Sequence, residues 1–256
     1  MLATVFLIAL TGCKKTDATA DQNSEGLDQA SLRSASHLEI DGCNITQVVH
    51  EPSPGLPETM AIAYNAHGDP ATITQVEGAH TGSPHYIFTY DKKHRLIELL
   101  APYDNGSYET YHKYFYANPG QKEIILDSSY SFPEFTGGVL TSWYQSSASH
   151  LTYDHQKRVI KDSTIVNGSF VTVRTFVYGP DGNIVGPSYD TKVNFHRTNK
   201  VWMFIDRDYS LNNKFVADTY NTNNLPTSVN LTLGSGSFMK FMSVFILDAD
   251  ISYDCP

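Results

Sequence analysis

Long apolar runs, basic charge and cysteine are all scarce in this chain of 256 residues, and each scarcity removes a class of function. The longest predominantly apolar stretch, Leu2 to Leu10, is too short at about 1.5 Å per residue to cross a bilayer as a helix. Lysine and arginine number 18 against 27 aspartates and glutamates, for a net charge of −9. That balance argues against nucleic acid, which rewards a basic face, and against electrostatic attachment to anionic lipid. Ten histidines and three cysteines occur without HExxH, CxxC or another spacing suited to zinc, and no phosphate-cradling or dinucleotide glycine pattern is present. No metal and no cofactor is therefore expected. Helical periodicity is missing too. No stretch of ten residues carries it, and the aromatic insertion described below is where a helix would fit if there is one.

Aromatic residues are abundant instead: 16 Tyr, 13 Phe and 2 Trp. Beyond Met60 they recur in a phrase. Tyr64, Tyr90, Tyr116, Tyr153, Tyr178, Phe195 and Tyr220 are each preceded two residues earlier by Ile62, Phe88, Tyr114, Leu151, Phe176, Val193 and Asp218. Six of these seven pairs put two large apolar groups on one strand face. Four residues after each anchor stand Gly68, His94, Gly120, Lys157, Gly182, Asn199 and Asn224, mostly types that tolerate positive φ. Each copy reads as strand, tight turn, strand. Asn105-Gly106 and Asn167-Gly168 mark hairpins between copies. The adjacent apolar pairs Leu96-Ile97 and Val159-Ile160 break the alternation of the return strands, so their buried face is left open.

Seven hairpins amount to about fourteen strands. The expected fold is all-β, an antiparallel meander of repeated hairpins, closed or strongly curved into a barrel-like sheet, because a long open sheet exposes edges that pair with other chains. A single repetitive domain over residues 38–256 is expected. One long insertion carries Phe132, Pro133, Phe135, Gly137, Gly138, Trp143 and Tyr144.

At the other end of the chain, Leu10-Thr11-Gly12-Cys13 after the apolar run resembles a bacterial lipoprotein signal, although Met1 alone precedes the run and the usual Lys/Arg residues are missing. The resemblance implies that residues 1–12 are removed, that Cys13 is lipidated, and that the membrane is a partner through this lipid. The polar stretch 13–37 then reads as a tether. Cys43 and Cys255 remain, and in an oxidising envelope compartment they favour a disulfide over two separate buried thiols.

Phe88-Thr89-Tyr90-Asp91-Lys92-Lys93-His94-Arg95-Leu96 and Leu151-Thr152-Tyr153-Asp154-His155-Gln156-Lys157-Arg158-Val159 resemble YD repeats, the tyrosine-aspartate hairpin units of the rearrangement-hot-spot and teneurin shell proteins. Tyr178-Gly179-Pro180-Asp181-Gly182-Asn183-Ile184 is a looser copy. With the signal, the whole is similar to a family of bacterial envelope lipoproteins of unknown function. That resemblance implies a porin-like barrel and anchoring at the outer membrane of a Gram-negative cell.

Candidate chemistry is sparse. Asp206 with Asp208, and Asp248 with Asp250 and Asp254, are the carboxylates from which a polysaccharide hydrolase would draw its pair, but both sets read as solvated strand-face acids. His80 and His85 read as exposed loop residues, and Gly234-Ser235-Gly236-Ser237 as a turn. Trp143, Tyr144, Phe132 and Phe135, with Tyr103, Tyr108 and Tyr111 near Asn105-Gly106, are the candidate ligand platform, since aromatic faces with nearby polar groups suit sugar rings. The expected role is non-catalytic, with glycan or an envelope protein as partner. A carboxylate hydrolase and an accessory subunit of an outer-membrane assembly are the alternatives.

Overall fold

A computed structural model describes residues 40, 42–53, 55–77, 83–232 and 237–256. The signal, Cys13 and the tether lie outside the described residues, as do His80 and most of 234–237. The strands are β1 (Asn44–Ser53), β2 (Leu56–Tyr64), β3 (Pro70–Glu77), β4 (Tyr86–Tyr90), β5 (Leu96–Pro102), β6 (Tyr108–Phe115), β7 (Leu126–Ser131), β8 (Glu134–Thr136), β9 (Val139–Ser142), β10 (Gln145–Tyr153), β11 (Val159–Val166), β12 (Phe170–Thr175), β13 (Thr219–Tyr220), β14 (Pro226–Asn230), β15 (Met239–Phe241), β16 (Val244–Ile246) and β17 (Asp248–Asp254). Thirteen of them form one antiparallel sheet in the order β12-β11-β10-β7-β6-β5-β4-β3-β2-β1-β17-β14-β13. The fold is the expected all-β meander, but the sheet is not closed by hydrogen bonds and holds thirteen strands rather than about fourteen.

Five turns are built alike. After Tyr64, Tyr90, Tyr153, Tyr178 and Tyr220 the next residue's N–H donates to the carbonyl four residues on, at 2.8–3.0 Å, and its own carbonyl accepts from the residue three on. The last of these donors, Gly68, His94, Lys157, Gly182 and Asn224, all take positive φ, between 57° and 79°. In four of the turns the side chain of Asn65, Asp91, Asp154 or Asn221 accepts two further backbone N–H groups through Oδ1, as Asx turns do. His94 and Lys157 are therefore held in the left-handed region by a capped turn where glycine was the expected type. Gly120 does not have positive φ, and Asn199 sits in extended backbone.

A bulge accompanies each full hairpin of this kind. Thr89 faces Glu98 while Tyr90 faces Leu96, and Thr152 faces Lys161 while Tyr153 faces Val159. Ile97 and Ile160 are thus the extra residues, which is why an apolar pair interrupts the alternation: Leu96 and Val159 are buried at 5% and 0% exposure, and the bulged partner is not.

Neighbouring repeats are tied by tyrosine hydroxyls. Tyr90, Tyr116 and Tyr153 donate to the carbonyls of Pro70, Leu96 and Ile124 at 2.7–2.8 Å. Tyr64 does the same to Ile45, and Tyr253 to Pro226. Arg95 clamps Asp91 of its own turn through Oδ2 and lies 4.2 Å over the ring of Tyr116 in the next repeat; Arg158 does so with Asp154 and, at 3.9 Å, Tyr178. Tyrosine, aspartate and arginine therefore have separate jobs: backward tie, turn cap and forward stack.

The expected strand at Phe195 is absent. Val193 keeps one bridge, to Asn212, and Phe195–Thr198 form a 3-10 turn leading into α1 (Lys200–Asp206). Asn199, expected at a hairpin turn, caps this helix by accepting from Val201 N–H. The insertion expected to hold any helix is instead the β8–β9 hairpin. Val201, Trp202, Met203 and Phe204 are all buried, so α1 is apolar nearly all round and carries no amphipathic period. Trp202 meets Phe88 of β4 edge-on at 5.8 Å and Phe241 of β15 at 5.2 Å, and Phe204 meets Tyr114 of β6 at 5.4 Å.

This plug also shows how far the sheet curls. Asn199 donates to Gly68 just before β3, while Arg207 reaches Asp127 on β7 at 3.0 Å and Asp162 on β11 at 3.6 Å. Flat, the six strand spacings from β3 to β11 would cover about 29 Å; seven helical residues rise only about 10 Å. The concave face is thus wrapped around α1. Cys43 and Cys255 are disulfide-bonded across neighbouring β1 and β17, joining positions 212 residues apart.

Candidate functional site

The strands run between two unlike ends. One holds the capped turns; the other holds the Tyr103–Ser107 turn, the Asn167-Gly168 turn and the β8–β9 hairpin. That hairpin turns at Gly137-Gly138, both at positive φ (58° and 79°), between Thr136 and its partner Val139, as a two-residue loop of this hand requires. Its root is fixed where Phe132 N–H donates to Glu109 O at 2.7 Å and Tyr144 N–H to Ser131 O at 3.0 Å.

The hairpin lays Phe135 edge-on against Tyr108 (5.2 Å) and Tyr111 (5.4 Å) of β6. Tyr111 stacks on Tyr130 of β7 at 6.0 Å, its cross-strand partner, and Tyr130 meets Trp143 edge-on at 5.1 Å. Phe132 and Tyr144 form a second pair at 6.5 Å. Trp143, Phe132 and Tyr144 are 45%, 57% and 81% exposed. Of the seven aromatic residues singled out from sequence, four join one cluster, two pair at the hairpin root, and Tyr103 stands apart, bonded to Glu109.

Glu98 borders the rings, and Glu109 holds Tyr103 apart from them. Tyr111 donates to Glu98 at 2.6 Å and Tyr103 to Glu109 at 2.9 Å. Burial and then the neighbouring Glu109 push the Tyr103 hydroxyl up to about 12, and burial with Glu98 pushes that of Tyr111 higher still. Both phenols stay protonated donors at neutral pH. A carboxylate offers about four acceptor sites, so each Glu retains capacity for a ligand hydroxyl. Sequence reasoning missed Tyr130, Glu98 and Glu109. The legible signal for Tyr130 was a lone aromatic in a serine-rich strand, which needs the β6–β7 register to acquire meaning.

Asp206 and Asp208 are not solvated strand acids. They close α1 and are buried at 7% exposure each. Asp206 accepts from His196 Nε2 (3.0 Å) and from the backbone N–H groups of Met242 (3.1 Å) and Ser243 (2.8 Å), with Lys240 at 3.3 Å. It fastens the β15–β16 turn to the helix. Burial pushes its carboxyl up, but His196, Lys240 and the Ser243 amide outweigh burial and hold it below the usual carboxylate range. Asp208 accepts from Ser210 N–H and pairs with Lys214 at 3.1 Å, and His196 Nδ1 faces Asn194 Oδ1 at 3.1 Å. These groups line a cavity of about 320 Å³ together with Phe238 and Phe245. Along β17, Asp250 and Asp254 are exposed and Asp248 is partly buried. His85 is half-buried, not an open loop residue: Nε2 meets Asp104 at 2.7 Å and Nδ1 accepts from Gln75 N–H. Among the described residues no group of three or more His, Cys, Asp or Glu is placed to hold a metal ion, and no helix is long and apolar enough to cross a membrane.

No protein-family model matches the chain, and no curated protein matches it.

Proposed function

We propose that this chain is a non-catalytic, lipid-anchored envelope protein that binds glycan at the aromatic end of its sheet. The observation that carries the reading is the linked set Tyr108, Tyr111, Tyr130, Phe135 and Trp143, which leaves Trp143, Phe132 and Tyr144 exposed and in which Tyr111 is held by Glu98. Ring faces supply stacking area at low conformational cost, and carboxylates accept from sugar hydroxyls. The commitment of Asp206 to two backbone amides and an imidazole supports a structural rather than hydrolytic role for that carboxylate. Glycan-array binding of the unlipidated protein tests the reading. Binding that drops at least tenfold in Trp143→Ala, with an unchanged melting temperature, is expected; no binding to any glycan sinks it.

One feature favours the second reading, an accessory subunit of an envelope assembly. Strand β12 ends the sheet with all six residues exposed, Phe170, Val171 and Val173 among them at 67%, 58% and 53%. Such an edge accepts an added strand. Recovery of a stable protein partner that is lost in Val173→Pro, alongside a blank array, selects this alternative.

A further inference from the structure

The capped-turn end of the sheet carries a cleft that the aromatic site does not use. Its volume is about 320 Å³, and Lys93, Arg95, Lys122, Lys157 and Lys200 line it against a single carboxylate, Glu123. Ile124, Met203 and Phe204 contribute to its apolar floor. Lys157 pairs with Glu123 at 3.0 Å, Lys200 with Asp69 at 2.9 Å and Arg95 with Asp91 at 2.7 Å. Among the described residues Lys93 Nζ donates to the carbonyl of Pro119, at 2.8 Å, and neither it nor Lys122 meets a carboxylate. Two positive charges therefore stand uncompensated at the rim of an apolar hollow.

The chain enters at this same end. Ile40 N–H donates to Arg197 O at 2.7 Å, three residues from Lys200, and Cys43 sits against Asn223 in the β13–β14 turn. An anchor at Cys13 is accordingly joined to the fold at this end, not at the aromatic end. We propose that the cleft docks on the membrane by taking the acidic headgroup of an anionic lipid, Lys93 and Lys122 meeting its phosphate at the rim of the hollow. The net charge of −9 does not forbid this, because acids more than about 10 Å away are screened at ordinary ionic strength. The assignment of the membrane as the source rests on the lipid-anchor reading; the binding chemistry does not.

The test is flotation of the unlipidated full chain, Cys13→Ser, with phosphatidylcholine vesicles and with vesicles that also contain phosphatidylglycerol. Binding to the anionic vesicles only is expected. The pair Lys93→Glu and Lys122→Glu should weaken it more than tenfold, since each basic residue near an anionic surface contributes about fivefold. The pair Lys113→Glu and Lys161→Glu, exposed strand residues with the same charge change, should leave it within about twofold on that scale; melting temperatures confirm that both pairs fold. Absence of flotation, equal loss in the two pairs, or saturable binding of inorganic phosphate without flotation each overturns the proposal. Because no lipid anchor and no glycan enters the assay, its failure is separable from failure of the function proposed above.

Discussion

Deleting single hydroxyl groups from the tyrosine ladder ranks the junctions between repeats. Tyr→Phe keeps the ring, its burial and the guanidinium stacked upon it, so the change isolates one hydrogen bond. At Tyr90, Tyr116 and Tyr153 that bond is 2.7–2.8 Å long and ends on a backbone carbonyl. A typical bond of this kind contributes about 1 kcal/mol net, and a buried carbonyl left without it raises the cost, so each substitution should lose about 1–2 kcal/mol. For a domain of this size that corresponds to about 2–8 °C in melting temperature. Tyr178 reaches Val159 O at only 3.3 Å and should lose less. Tyr130, whose ring is stacked but whose hydroxyl has no hydrogen-bond partner among the described residues, should change by no more than about 0.5 kcal/mol. Tyr90→Phe and Tyr153→Phe share no partner and should add within about 0.5 kcal/mol. Thermal and urea unfolding followed by circular dichroism read all of these. A Tyr130→Phe protein as destabilised as Tyr116→Phe, or losses under about 0.5 kcal/mol throughout, would refute the reasoning that the hydroxyls hold repeat to repeat.

Arg207→Met should cost about 3 kcal/mol by urea unfolding, because it strips the buried carboxylates of Asp127 and Asp162 of a cation; adding Asp127→Asn should recover part of that loss, and no recovery would count against a charge effect. Burial raises the carboxyls of Asp127 and Asp206, but His112 and Arg207 at one, and His196 and Lys240 at the other, hold both below the usual range. Their folded values lie under the unfolded value of about 3.9, so the stabilisation is full above that pH and is lost as pH falls through the folded values. His50 acts at higher pH: burial lowers it from 6.5 against the pull of Glu58 and Asp248, the unfolded chain takes up the proton first, and stability declines below about pH 6.5. Melting temperature against pH should show both steps, with His50→Gln shrinking the upper one. Replacing Cys43 and Cys255 together by serine releases a link across 212 residues and should cost about 5 kcal/mol on the loop-entropy model; a shift under about 1 kcal/mol would be incompatible with a bridge that constrains the unfolded chain.

The meander was legible because its signal is local: an aromatic pair at alternating positions, then a turn capped within five residues. The bulges at Ile97 and Ile160 were visible only as a fault in the alternation, since a bulge is defined by the partner strand. The plug was hidden for the opposite reason. Residues 194–213 fold through contacts with the β2–β3 turn and with β4, β6, β7, β11 and β15, so Asn199 and Phe195 matched the repeat phrase while their surroundings dictated a helix start. Asp206 and Asp208 alternated like strand acids, and only the left-handed backbone of Arg207 between them (φ 54°), at the helix end, turns both inward. Four of the aromatic candidates were brought together by one two-glycine turn, whereas the carboxylates beside them depended on cross-strand register.

The asymmetry between the two ends follows from how each is made. At the capped-turn end Tyr, Asp and Arg fix turn length, because one added residue displaces Oδ1 of Asp91 or Asp154 from its two amides and the following ring from its guanidinium. The opposite end is less uniform: Tyr103–Ser107 closes by the same pair of backbone bonds and with the same bulge, at Glu109, but without an Asp–Arg clamp, and the β7–β10 connection carries a whole hairpin. The β8–β9 hairpin leaves the ladder untouched, and exposed side chains on such a connection are those a rigid scaffold can vary without loss of stability. Exposed aromatic side chains accordingly collect at the β8–β9 hairpin, whereas at the repeated turns Arg95 and Arg158 are each committed to the aspartate of their own turn and to the tyrosine of the next repeat.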